Sequence, residues 1–293
     1  MVNPLLILCL LISSSAFAAE AIRVQPQRTA VDGSYLYYTD LLRLVLSNTS
    51  KEYGDAELVS ISRLTQARAF QALHDNLIDV FWAGTSRERE VFVQPIRIPL
   101  HAGLLGFRIP VIRKADQARF DALHNLSDLQ QLGACQGDHW PDSDILEANG
   151  FNVQRATKFE VMYQMLQAGR CDYFPRGINE VYAEVSHVSR NDLMVYERII
   201  LNYPFPMYFF VSHDNPRLAE RLTKGMEQLA ASGELLNFLQ QHPTTRDIFP
   251  LSRLSNSWVI PLHNPLLPEL TPLSNKHLWI ELPSSTKQSP ATP

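Results

Sequence analysis

The residues of this 293-residue chain best placed to do chemistry sit at the end of one apolar run, Ile78 to Glu90, IDVFWAGTSRERE. The run stops at Gly84 and turns at once into Thr85, Ser86, Arg87 and Arg89. The β-rich composition of Ile78 to Trp82 predicts a buried strand, and Thr85 or Ser86 can cap the short helix that SREREV would begin. A strand end, unpaired helix N–H groups and a guanidinium together make an anion-binding corner. The same spacing also suits a surface Arg/Glu run making solvated i,i+4 pairs.

This order of residues resembles the first-lobe pattern of the bacterial extracellular solute-binding proteins of family 3, the periplasmic amino-acid-binding type. There a G-x-x-D strand leads through a hydroxyl-rich turn to T-x-x-R, and the arginine holds the ligand carboxylate. Here N-L-I-D-V leads to S-R-E-R, so the resemblance implies that Arg89 stands for the family arginine and Ser86 for its threonine. The turn is shorter than the family's, which leaves Arg87 as a competitor. A second match is L-Q-A-G-R-C-D, residues 166–172, similar to the family's L-x-x-G-R-x-D, in which Asp172 takes a structural role.

Beyond that motif the chain departs from the family. Amino-acid binders present an aspartate to the ligand's amino group, whereas this stretch reads Pro175-Arg176-Gly177-Ile178-Asn179-Glu180. The resemblance then sets Arg176 across a cleft from Arg89, and two facing guanidiniums favour an anion with two acidic groups. Asn179 or Glu180 remains to receive an amine. The alternative is that Arg176 pairs with Asp172 or Glu180 inside its own lobe. The turn from Gln136 to Ser143 falls where the family offers N–H groups to the carboxylate, with Trp140 to stack on a ligand and His139 and Asp142 as polar contacts. Tyr35 or Tyr37 is the aromatic lid, or else a core residue at a helix start.

These residues need a frame of alternating strands and helices. Strands are predicted at Ile22–Gln25, Glu57–Ile61 and Leu132–Gln136, and helices at Tyr35–Leu46 and Leu64–Leu77, the latter burying Ala67, Phe70, Leu73 and Leu77. Thr157 and Glu160 form a capping box for a helix burying Phe159, Met162 and Leu166. Asn215-Pro216 starts a helix that buries Leu218, Leu222, Met226 and Leu229 and ends at Gly233. Such an alternation puts strand ends on one edge, where ligands bind.

Arg97–Lys114 and Ile199–Ser212 are β-like runs interrupted by glycine or proline, as hinge crossings would be. The expected fold class is α/β: a two-lobed type II periplasmic binding protein fold with two hinge crossings and an extended C-terminal tail. Its expected parts are residues 1–18 as signal peptide, 19–107 and 201–249 as the first lobe, 108–200 as the second, and 250–293 as a proline-rich tail.

Leu5–Ile12 reads as a short h-region and Ala16-Phe17-Ala18 as a cleavage site, which implies an exported, periplasmic chain cut after Ala18. The formal charge of −4 opposes a nucleic-acid surface. No ligand spacing supports a metal site, and no cofactor is implied. Cys135 and Cys171 are either a single disulfide or a pair of buried thiols.

The leading function is a monomeric solute-binding protein that closes on a small anionic ligand, such as an acidic amino acid or a dicarboxylate, for an ABC-type transporter. One alternative is a periplasmic sensing module that works through a protein partner. The other is a cleft enzyme, with Glu180, His139 and Asp138 as its candidates. A chain without a nucleophile motif is expected not to be an enzyme.

Overall fold

The computed structural model describes residues 19–27, 33–62, 64–186 and 188–283. The predicted signal peptide, most of the loop before Tyr35 and the last ten residues lie outside them. Among the described residues the strands are, in chain order, β1 (Glu20–Val24), β2 (Ala56–Ser60), β3 (Phe81–Gly84), β4 (Gln94–Ile96), β5 (Phe107–Arg113), β6 (Gly133–Gly137), β7 (Asn152–Ala156), β8 (Tyr173–Gly177), β9 (Leu193–Val195), β10 (Ile199–Asn202), β11 (Met207–Val211) and β12 (Trp258–Pro261).

They form three sheets. β1 and β2 pair in parallel, and β3, β11 and β4 form an antiparallel sheet in that order. The largest sheet runs β12-β10-β5-β8-β6-β7, with β9 also on β5. The chain passes from the small sheet to the large one between β4 and β5, and returns between β10 and β11. The two lobes are therefore joined by two crossings, and the first lobe is discontinuous in sequence.

The first crossing contains a tight turn. Ala102 has φ 47° and Gly103 φ 81°, both left-handed, and only glycine takes that conformation without steric cost. A Cβ on Gly103 would also lie 2.5 Å from the Trp279 ring.

The first-lobe core is built on the helix Gly33–Asn48, which buries Tyr37, Leu41, Leu42 and Val45 against Leu218, Leu222, Met226 and Leu229 of the helix Pro216–Ser232. Asn215 caps that second helix by accepting from the Leu218 N–H, as the sequence predicts. The helices meet closely at Gly225, where a Cβ would stand 2.7 Å from Val45. The second-lobe core is split across the large sheet, and the disulfide Cys135–Cys171 ties β6 to the loop before β8.

Two local expectations fail. The helix Gln66–His74 is shorter than predicted and buries Ala69, Phe70, Ala72 and Leu73, while Ala67 and Leu77 are exposed. Its end at His74 leaves Leu77 on the loop that leads into β3, so the helical period no longer governs that residue. Nor does the capping box form: Lys158 is the N-cap of the helix Phe159–Gln167, with no side-chain cap. The face of that helix turns Tyr163 into the core beside Met162 and Leu166, and leaves Phe159 only half-buried.

Candidate functional site

β3 delivers its chemistry at its C-terminal end, as its composition predicts. Ser86 caps the helix Arg87–Phe92 by accepting from the Arg89 N–H at 3.3 Å. Thr85 is buried; its hydroxyl donates to Glu90 at 2.6 Å, and Glu90 in turn pairs with Arg97 at 2.7 Å. The Thr85 N–H donates to the Pro206 carbonyl at 3.1 Å, and the Arg87 N–H to that of Leu266 at 3.3 Å. Two of the backbone donors foreseen for an anion are thus already engaged by this chain.

Arg89 is different. Its guanidinium donates to the Gly84 carbonyl and, at 2.8 Å, to Gln66 Oε1, and it lies 5.0 Å over the Phe70 ring. Every one of these partners is neutral. Among the described residues Arg89 has no ion pair, and burial pushes its pKa down to about 10, against the pull of Asp142 and Glu88. Asp142 stands in the first turn of the second-lobe helix Pro141–Ala148 and Glu88 in the first lobe, so both lobes act on this guanidinium. Arg87, the competitor, is exposed and donates to the Pro265 carbonyl at 2.7 Å, on the tail.

The second-lobe edge carries a buried set of charges. Arg176, in β8, bonds Glu184 at 2.7 Å and Glu180 at 2.8 Å, and its guanidinium lies 5.1 Å from the rings of both Trp140 and Phe174. Burial would lower its pKa, but Glu180 and Glu184 outweigh burial and hold it well above the ordinary value. Arg108, in β5, pairs with Asp142 and donates to the Tyr203 hydroxyl at 3.1 Å; Tyr203 in turn donates to Asp142. Glu180 lies 4.0 Å from Arg108 and completes the set.

The structure therefore gathers the predicted residues unevenly. Thr85, Ser86 and Arg89 share one edge, and Trp140, Arg176 and Glu180 share the other. Arg176 has internal carboxylate partners, as the alternative reading of the sequence held. Tyr37 lies in the first-lobe core, fully buried, with its hydroxyl donating to the Leu100 carbonyl at 2.6 Å and its ring stacked on His101. It does not face the cleft, because the helix turns it inward. Tyr35 is half-buried against Trp82, 5.8 Å between ring centroids. His139 is exposed, 3.7 Å from Asp138.

Sequence reasoning missed Arg108 and Gln66. Arg108 had a signal: an arginine inside an apolar β run must be paired when it is buried. Gln66 had none, since it meets Arg89 only through tertiary packing.

No protein-family model matches the chain, and no curated protein matches it. Solved structures do. The GluR0 ligand-binding core in complex with L-glutamate is 15% identical with a TM-score of 0.55, over 78% of this chain and 99% of that one. An amino acid ABC transporter substrate-binding protein from Streptococcus pneumoniae, bound to L-arginine, is 15% identical with a TM-score of 0.54, over 76% and 93%. A histidine kinase sensor domain with similarity to periplasmic binding proteins is 15% identical with a TM-score of 0.53, over 77% and 96%. These likenesses, with the two crossings, define the class: a two-lobed periplasmic binding protein fold. No helix among the described residues is long and apolar enough to cross a membrane.

Proposed function

We propose that this chain binds a small zwitterion, an amino acid or a close relative, between its two lobes. The observation that carries the reading is a charge asymmetry across the cleft. Arg89 offers a desolvated guanidinium with neutral partners only. The opposite edge gathers three carboxylates, Asp142, Glu180 and Glu184, about Arg108 and Arg176, with Arg190 also acting on Glu184. A ligand carboxylate suits the first edge and an ammonium the second. Specificity for a dianion draws no support from Arg176, whose charge is met inside its own lobe.

Binding would proceed by closure of the lobes about the two crossings, with Arg89 and Ser86 meeting the ligand first and Trp140 and Glu180 completing the shell. Solved structures of the same fold hold L-glutamate and L-arginine, which favours this class of ligand. Delivery to an ABC transporter after export is the leading role. A sensing role through a protein partner is the second reading, favoured by the fold's presence in a histidine kinase sensor domain. An enzyme is disfavoured: Glu180 is committed to Arg176, and His139 stands in solvent.

The test is a thermal-shift screen of residues 19–293 with L-arginine, L-glutamate, L-glutamine and succinate. A ligand at a hundred times its dissociation constant adds about 2.7 kcal/mol of stability. Arg89→Ala is expected to abolish the shift, a loss of about 2–5 kcal/mol in binding. Shifts with succinate alone, or shifts that survive Arg89→Ala, would sink the assignment.

A further inference from the structure

The C-terminal tail runs as a strap from one lobe to the other. It starts on the second lobe, where β12 adds in parallel to β10 and Ile260 and Leu262 enter the core. The Leu262 N–H donates to the Asn202 carbonyl at 2.8 Å. Asn149, at the end of the helix Pro141–Ala148, then grips His263 twice: its side-chain amide donates to the His263 carbonyl at 2.7 Å, and its oxygen accepts the His263 N–H at 3.0 Å.

Asn264 ties the strap to the return crossing by one bond and folds the strap on itself by another. Its amide donates to the Pro204 carbonyl at 2.8 Å, and its oxygen accepts the Leu266 N–H at 2.9 Å. The strap next reaches the first lobe, where Arg87 donates to the carbonyls of Pro265 and Leu266. It ends on the first crossing: the Ile280 N–H donates to the Ala102 carbonyl at 2.8 Å, Trp279 covers Gly103, and Leu278 enters the first-lobe core. Ala102 is one of two non-glycine residues with positive φ among the described residues, a conformation that persists only where its surroundings over-determine it.

We infer that residues 262–280 are an intramolecular latch that holds the two lobes in one relation. The strap bonds both lobes and both crossings, so a hinge motion that parts the lobes must break it somewhere. The Arg87 contact is the release point. Arg87 is exposed and its backbone contact is long at 3.3 Å, whereas Asn149 makes two side-chain bonds to the strap and the bond from Asn264 to Pro204 starts from a buried side chain. The latch makes the open form costlier, and a ligand that must enter between the lobes binds a population reduced by that cost.

The test uses residues 19–293 carrying Asn149→Ala and Asn264→Ala together. Hydrogen exchange and solution scattering read the latch, and calorimetry with L-arginine and L-glutamate reads its effect on binding; only the latter rests on the function proposed above. We expect exchange at residues 262–267 and at Arg87 to rise at least tenfold, the radius of gyration to increase, and any affinity for these probes to change at least threefold. Asn149→Ala alone gives the same readouts, more weakly, if the double variant does not fold. Leu270→Ser, exposed on the same strap, is the control that leaves them unchanged. If the strap's exchange rises while the radius of gyration and the Arg87 exchange stay at wild-type values, the strap does not couple the lobes and the latch is wrong. If neither form binds either probe, the amino-acid reading fails, while exchange and scattering still decide the latch.

Discussion

The two edges of the cleft use arginine in opposite ways. At the end of β3, Arg89 meets a carbonyl, an amide and a phenyl ring, and among the described residues it has no ion pair. At the end of β8, Arg176 meets two carboxylates and a cage of aromatic rings, and its charge is spent. A guanidinium with a carboxylate partner serves the fold. One desolvated among neutral groups is left with charge to offer a ligand.

The comparison is broken most directly by removing Arg176. Arg176→Leu leaves Glu184 buried without its cation, and the expected loss is about 3–5 kcal/mol of stability, read from the denaturant midpoint. A loss below 1 kcal/mol would mean that the pair does not hold the second lobe, and that Arg176 is as available as Arg89.

Each edge also ends in a glycine covered by an aromatic ring. A Cβ on Gly84 would lie 2.2 Å from Phe205, and one on Gly137 would lie 2.5 Å from Trp140. Phe205 is buried and cannot retreat, whereas Trp140 is half-exposed and can swing outward. Gly84→Ala is therefore expected to cost about 2–3 kcal/mol and Gly137→Ala about 1 kcal/mol. Thermal melts of the two variants read the difference, and equal losses would show that Trp140 is as fixed as Phe205.

Acid should weaken the first lobe through His101. It is buried against Tyr37, and burial, aided by His242, lowers its pKa to about 3. The unfolded chain takes up a proton near the ordinary value of about 6.5. Stability therefore falls as pH drops from that value toward 3, by about 1.4 kcal/mol at pH 5.5. His101→Phe is expected to remove this component from a pH series of denaturant midpoints, and an unchanged series would show that His101 is not buried neutral.

The alternation of strands and helices was legible because periodicity, caps and breakers are local. Asn215-Pro216, Gly233 and the β3 turn all act within a few residues of themselves. The site was legible only in part. Arg89 and Arg176 look alike as arginines near glutamates, but Glu180 stands four residues after Arg176, in reach across the strand-to-helix turn, while Glu88 and Glu90 flank Arg89 at a spacing that makes no ion pair with it. That spacing left Arg176 open between a cleft cation and one paired with Asp172 or Glu180, and only the fold decides for Glu180 and Glu184. Tyr37 was undecidable by pattern, because a helix start can turn either of two nearby tyrosines inward. An extended tail was legible from its prolines, but its grip was not: that depends on asparagines at 149 and 264, which no period brings together.

The smallest stability effect is also the one that most sharpens the contrast between the edges. Arg89→Ala removes the bonds to Gly84 and Gln66 and the contact over Phe70, which destabilises. It also removes a partly buried charge that has no ion pair among the described residues, which stabilises. Gln66 is exposed, so water can replace the donor it loses, while the bond lost at buried Gly84 remains a cost. These terms oppose, and the net change expected is about 1 kcal/mol or less, against the several expected for Arg176→Leu. A ligand-free variant that melts near the wild type and binds no amino acid would place Arg89 in the binding site. A variant that loses as much stability as Arg176→Leu would make Arg89 another structural cation, and the charge asymmetry across the cleft would lose its meaning.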